Sequence, residues 1–439
     1  MKLPKEKILG VGDKVQLRTQ EKIWQGNVLE SYDSEIILLK LESGYNIGIR
    51  ENTILDLKVL EKAKENIKEK KQLEQNKKLP NIAMIITGGT ISSRLDPKTG
   101  GVIYTDEEEI LNIAPEISKI ANIVKIEKPF QKWSEDMSFL DWKILAEKTC
   151  ELVNNSEIDG VIITHGTDFL HYTASALSFY LRDLTKPVAL TYSQRSIDRG
   201  STDAALNLIC SVRYAVSDIA EVAIIGHKNL DDNLCLAMPG TKTRKMHTSR
   251  RDTFKTINST PLAEISSDLK QPIKFLKNFN ARVKNEKVKT KLDAQYSDKV
   301  SLIQIHPGQN PEILDFLVEK ETKGIILEVA GIGQVPGKNA KYNFLPTIKK
   351  LIEKGIVICA TPQTIYGTLN PNVYSAGREL EKTGIIFLKD MLPETALVKL
   401  SWILGHKSRE FQGKENVRQK LLENISNEFS ENCETNFDF

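Results

Sequence analysis

The sequence predicts an α/β protein, a parallel sheet covered by helices on both faces, preceded by a small SH3-like β-barrel. Two observations carry this. From Asn81 onward, short continuous apolar runs alternate with stretches of helical period: IAMII (82–86), VIIT (161–164), EVAIIG (221–226), SLIQI (301–305), GIILEV (324–329) and GIVICA (355–360). Runs of this kind belong to strands buried on both faces. Before them, residues 10–60 break into short β segments, GDKVQLRT, KIWQGNVLES and SEIILLKLESGYNIGIR, punctuated by Gly, Asp, Asn and Ser, which suits a small barrel.

At 439 residues the chain exceeds what one hydrophobic core supports, so several domains are expected. The barrel occupies 1–60. A charged linker follows over 61–80; between Lys58 and Lys78 the sequence KVLEKAKENIKEKKQLEQNKK is almost wholly Lys, Glu, Gln and Asn, and Pro80 closes it. A larger lobe spans 81–285. In it Trp142, Leu145, Ala146, Thr149, Cys150 and Val153 fall at helical spacing, a stripe that belongs to the core. The Lys-rich stretch 277–299 lacks apolar runs and is expected to cross between lobes. A smaller lobe spans 286–405, with helix starts at Asn310, where Pro311 sits in the first turn, and at Pro393. Residues 406–439 are expected to form a polar tail, with an amphipathic helix at roughly 410–425 and a frayed end, ENCETNFDF.

Composition narrows the function classes. Lys+Arg at 61 against Asp+Glu at 58 gives a net charge of +3, far from the basic footprint of a protein that grips nucleic acid over a wide surface. No run approaches the length needed to cross a bilayer, and MKLPKEKILG is followed by no apolar stretch; a cytoplasmic protein is expected. The five cysteines are scattered without a C-x-x-C pair, and the six histidines add no ligand spacing, which speaks against a zinc site and for reduced thiols.

Three segments carry chemistry. In IAMIITGGTISS a strand runs into Thr87-Gly88-Gly89-Thr90. The two glycines permit a sharp turn with bare amide groups, and hydroxyls flank them. In GVIITHGTDFLHYTASAL, His165-Gly166-Thr167-Asp168 sits at the carboxyl end of another apolar strand, the sheet edge where ligands bind. Taken alone, Asp168 reads as a helix cap, and His165 as a structural histidine with no part in the chemistry. The third is Lys245, in the basic loop MPGTKTRKMHTSRRDTFKTIN, which by itself reads as solvated surface. Together they are sharper. A threonine hydroxyl is a poor nucleophile unless a base stands beside it, and a lysine can be that base only when burial or a partner poises it. Thr, Lys and Asp thus supply nucleophile, base and orienter.

TGGTI and HGTD, in this order and about seventy-five residues apart, with Lys245 downstream, resemble the bacterial-type L-asparaginase family over residues 81 to about 404. The resemblance implies a flavodoxin-like sheet in the larger lobe, a smaller C-terminal lobe, a homodimeric core and catalysis by two threonines. It makes Thr90 the first nucleophile and Thr167, Lys245 and Asp168 a second triad, with Asp168 also holding the substrate's α-amino group. Ser134, in WSEDMSF, matches the ligand of the substrate carboxylate; Gly89 and Glu135 complete the expected substrate-binding set. Other features look less like a free-standing asparaginase than like the branch that serves archaeal glutamyl-tRNA(Gln) amidotransferases. They are the added barrel, Ser134-Glu135-Asp136 with an acid where free asparaginases usually carry glutamine, SQRSIDRGSTDAALNLIC (193–210), TLNPNVYSAGREL (368–380) and KDMLPETALVKLSWILG (389–405). That branch implies hydrolysis of glutamine, with ammonia passed to a partner, the E component of the amidotransferase, which binds tRNA(Gln) and uses ATP and Mg2+; no cofactor is expected in this chain. Gly200 stands where that pattern has proline, and Ala330 where it has a threonine or other small polar residue; these touch loop rigidity and the lobe junction.

The nearest rival reading is a free-standing asparaginase/glutaminase. A nucleic-acid-binding scaffold with an inactive site is weakened by the intact Thr90, Thr167, Asp168 and Lys245. A dinucleotide enzyme is weaker still, because G-x-G-x-x-G is absent.

Overall fold

The computed structural model describes residues 9–63 apart from 30, 32, 34 and 44, residues 76–95, and residues 102–430 apart from 106 and 286. Within them, β1 (Lys14–Arg18), β2 (Ile23–Leu29), β3 (Ile36–Leu41), β4 (Asn46–Arg50) and β5 (Asp56–Glu61) form an antiparallel sheet of order β4-β3-β2-β1-β5. Alternate residues Val15, Leu17, Val28, Leu39 and Ile49 turn inward to a small core, the period-2 burial of a sheet with one wet face. This unit stands where the barrel was expected. The charged linker falls largely outside the described residues, between 64 and 75.

The larger lobe runs through β6 (Asn81–Ile86), the hairpin β7 (Ser93–Leu95) and β8 (Val102–Tyr104), α1 (Glu107–Asn112), β9 (Asn122–Glu127), α2 (Phe139–Val153), β10 (Gly160–Thr164) and α3 (Leu170–Tyr180). It continues with β11 (Leu181–Arg182), β12 (Val188–Thr191), α4 (Ala204–Ala215), β13 (Val222–His227) and β14 (Leu234–Pro239). The hairpin β15 (Thr243–Lys245) and β16 (Phe254–Thr256), then β17 (Ala263–Ser266) and β18 (Lys274–Phe275), complete it. Its main sheet has the order β18-β17-β14-β13-β12-β10-β6-β9. Both faces are covered, so the strands alternate between two cores. Ala83, Ile85, Val161 and Ile163 pack with α2 and α3, whereas Ile82, Met84, Ile86 and Ile162 pack with α4. The stripe from Trp142 to Val153 lies buried along α2, whose start is fixed by a capping box between Ser138 and Asp141.

The sheet departs from the all-parallel expectation. β9, β6, β10, β12 and β13 are parallel neighbours, but the pairs β13/β14, β14/β17 and β17/β18 are antiparallel. The connection from His227 to Leu234 is too short for a helical crossover, so the chain can only turn back on itself as a hairpin.

The smaller lobe follows β19 (Lys291–Leu292), which pairs with β11, and holds β20 (Val300–Gln304), α5 (Glu312–Glu319), β21 (Gly324–Val329) and α6 (Phe344–Glu353). Next come β22 (Val357–Pro362), α7 (Ser375–Glu381), β23 (Ile386–Phe387), α8 (Pro393–Gly405) and α9 (Lys414–Leu422). Its sheet, β20-β21-β22-β23, is parallel throughout, and α8 packs on α3 of the larger lobe.

Residues 406–430, expected as part of a polar tail, instead fold back against both lobes; 431–439 lie outside the described residues. Phe411, Val417, Leu421 and Phe429 join the core shared by α3 and α8. The anchor is an ion pair between Lys399 of α8 and Glu428, both fully buried. Glu428 also accepts the amide hydrogens of Ile425 and Ser426. Burial pushes the Lys399 ammonium below its ordinary pKa, and the Glu428 carboxylate opposes that shift. Removing one member of such a pair strands the other charge in the core. Glu428→Gln is therefore expected to cost about 3–5 kcal/mol of stability, read as a lowered denaturant midpoint, whereas replacing Lys399 and Glu428 together by Met and Leu should cost far less.

Candidate active site

β6 and β10 are adjacent and parallel, in a register that sets Ile86 beside Thr164. Their carboxyl ends therefore release the TGGT and HGTD loops side by side. Thr87 locks the pair: its amide and its hydroxyl both donate to the Thr164 carbonyl, at 3.2 and 2.8 Å. Gly88 and Gly89 have φ of 118° and 80°, a region other residues enter only with strain. At Gly89 a Cβ would lie 2.4 Å from Gly166 Cα, so the two loops touch backbone to backbone. The Gly89 carbonyl is then held from beyond the turn, by the Ser92 amide at 3.0 Å and the Ser93 hydroxyl at 2.7 Å.

That contact sets the loops bearing Thr90 and Thr167 side by side. Thr90 is half-buried, and its hydroxyl has no hydrogen-bond partner among the described residues. Thr167 is buried. Lys245, at the end of β15, reaches over from the antiparallel side of the sheet, and its Nζ donates to Thr167 Oγ1 at 2.8 Å and Asp168 Oδ1 at 2.6 Å. The lysine side chain is 10% exposed and the Asp168 side chain 60%; the amine is shielded while the carboxylate opens to whatever enters. The loop that read as surface in isolation thus delivers a shielded amine between two polar groups from another strand.

Ser134 comes from the 132–138 segment. That segment is fixed by the Lys132 amide donating to the Thr87 carbonyl at 2.9 Å and by Lys132 Nζ at 2.7 Å from Asp141. Ser134 is buried against Gly166, where a Cβ would meet its Oγ at 3.1 Å, and its hydroxyl accepts the Phe169 amide hydrogen at 3.4 Å. Glu135 and Asp136 are exposed beside it.

Sequence reasoning missed Tyr104. Its ring stacks on Trp133 at 5.0 Å, near the backbone of Gly88, and its buried hydroxyl is left without a partner. Burial, then the negative charges of Asp136 and Glu135, raise its pKa. No motif marks it, because VIYTDEEE carries no sequence signal of a site. Also missed was the polar junction between lobes, where Arg244 meets buried Glu394 at 3.0 Å and His171 stands 3.6 Å from the same carboxylate oxygen. Among the described residues no group of three His, Cys, Asp or Glu is placed to hold a metal ion.

His165 is fully buried, its Nδ1–H donating to the Gly166 carbonyl at 2.7 Å and its Nε2 accepting from Thr173 at 2.8 Å. Burial drives its pKa down to about 4, so the ring is neutral at pH 7. The unfolded chain takes up this proton at about pH 6.5 and the folded one only near 4, so the stability present above the first value is lost as pH falls through the second. The shift corresponds to about 3 kcal/mol. Denaturation midpoints should fall between pH 6.5 and 4.5, and a folded His165→Gln variant should show a flatter profile.

The chain matches the family models for the asparaginase N-terminal domain over residues 81–278, the glutaminase/asparaginase C-terminal domain over 299–415 and the GatD N-terminal domain over 9–60. It is 46% identical to the D component of the glutamyl-tRNA(Gln) amidotransferase of Pyrococcus furiosus, covering 92% of each chain. With that of Thermococcus kodakarensis it is 44% identical, over 96% of this chain and 95% of the other. Among solved structures, the thermostable L-asparaginase from Thermococcus kodakarensis superposes with a TM-score of 0.67 at 28% identity, and covers 80% of this chain and 99% of its own. L-asparaginase I from Vibrio cholerae gives 0.67 at 27% with the same coverage. Among the described residues no helix is long and apolar enough to cross a membrane.

Proposed function

The chain belongs to the GatD family, amidohydrolases that form the glutaminase component of the glutamyl-tRNA(Gln) amidotransferase, and from this we propose a mechanism in which Thr90 is the nucleophile. Its hydroxyl attacks the side-chain amide carbon of glutamine, the tetrahedral centre collapses with loss of ammonia, and water then releases glutamate from the acyl-threonine. Lys245 exchanges protons with Thr167 and is oriented by Asp168, an arrangement supported by the 2.8 and 2.6 Å contacts. Backbone amides at Gly89 and Thr167 are the donors to the oxyanion. Ser134 takes the substrate's α-carboxylate, Asp168 its α-ammonium, and Glu135 lines the entrance.

The observation that carries this reading is the meeting of Lys245, Thr167 and Asp168 beside the loop that bears Thr90. The partner that consumes the ammonia is the E component of the amidotransferase. It binds Glu-tRNA(Gln), activates the glutamyl carboxylate with ATP and Mg2+, and assembles on a homodimeric core of the present chain, in the cytoplasm. The modest net charge of +3 supports leaving most of the tRNA to that partner.

Two measurements test it. Thr90→Val and Thr167→Val should each lower glutaminase kcat by about 10³-fold or more, since members of such a unit act together; near-normal turnover in both would contradict the mechanism. With the E component, Glu-tRNA(Gln), ATP and Mg2+ present, amide nitrogen from glutamine should appear in Gln-tRNA(Gln). Vigorous asparagine hydrolysis without partner or tRNA would instead mark a free-standing asparaginase.

A further inference from the structure

Residues 424–430 leave α9 and cross the molecule as a strap whose contacts converge on the hairpin that carries Lys245. At the entry to β15, the Thr241 hydroxyl donates to the Ser426 carbonyl at 2.9 Å. Its neighbour Lys242 is 1% exposed, and its Nζ lies 2.6 Å from Asp390 Oδ2, whose side chain is 2% exposed. The strap completes the shell of that carboxylate, because the Ser430 amide donates to both Asp390 oxygens at 3.3 and 3.2 Å. At the exit from β16, the Ser430 hydroxyl donates to the Asn258 carbonyl. Asn258 itself grips the loop at 365–367, its side-chain amide donating to the Ile365 and Gly367 carbonyls and its Oδ1 accepting the Gly367 amide hydrogen. The strap is pinned in turn by Glu428 on Lys399 and by the Ser426 hydroxyl on the Ser178 carbonyl at 2.7 Å.

We propose that this strap is a positioning device for Lys245, with Thr241, Lys242, Asp390 and Ser430 as positioning residues, an inference that rests on the reading of Lys245 as the proton-exchanging amine. Lys242 sits in the bend that leads into β15, three residues before Lys245 and so at most about 11 Å from it along the chain. A buried cation cannot leave its counter-charge without stranding both, so Lys242 is a fixed point from which β15 projects toward Thr167. Ser430, on the paired side, stops the hairpin from swinging about that point. A catalytic group displaced by 1 Å loses on the order of 10² in rate, so small slack at either end reaches the chemistry.

The test uses the full chain with glutamine as substrate. Thr241→Val combined with Ser430→Ala removes both side-chain bonds between strap and hairpin and leaves the two buried ion pairs intact, so the protein should fold. The expected result is a kcat lowered about tenfold or more, KM within about twofold, and a displaced pH profile of kcat. Thr241→Ser, which keeps the hydroxyl, should restore most of the rate in the Ser430→Ala background. Wild-type kcat and pH profile in the double variant, with only thermal stability reduced, would overturn the proposal and leave the strap a structural feature. Lys245→Met separates the two levels. If it abolishes turnover while the strap variant is normal, the strap inference alone fails; if it turns over normally, the reading of Lys245 fails and the inference with it.

Discussion

The whole site depends on one close approach, the backbone of Gly89 against that of Gly166. A side chain at Gly89 would part the two loops, and with them Thr90 and Thr167, while one at Gly166 would press on Ser134. Everything nearby serves this contact: the parallel register of β6 and β10, the double bond of Thr87 to the Thr164 carbonyl, and the Ser92 and Ser93 bonds that close the turn. Lys245 then arrives from the opposite side of the sheet, on a hairpin that exists because β14 turns back antiparallel.

What the sequence revealed follows from burial. Strands covered on both faces must be continuously apolar, and these are the strands that end in the TGGT and HGTD loops, so both loops were legible at the correct sheet edge. LCLAMP was missed as β14, and NIVKIE as β9, because a strand with one wetter face carries a mixed pattern. The approach of Lys245 to Thr167 was not readable from spacing at all; the resemblance to asparaginases supplied it. Tyr104 went unseen for a related reason, since its place depends on stacking against Trp133 and on no local signal.

The C-terminal segment teaches the complementary lesson. Its composition is polar, which predicts a loose tail, yet Glu428 and Lys399 neutralise one another in the core and Phe429 is buried beside them. Polarity measures exposure only while charges are unpaired. A segment that reads as solvated can thus brace a site when its charges find partners far away in sequence.

In the proposed mechanism Thr90 carries the acyl group. Rapid acid quenching during glutamine turnover, followed by peptide mapping, tests it directly. A peptide spanning Thr90 should bear the mass of one glutamyl ester, absent from Thr90→Val. A glutamyl ester on Thr167, or on another residue, would contradict it.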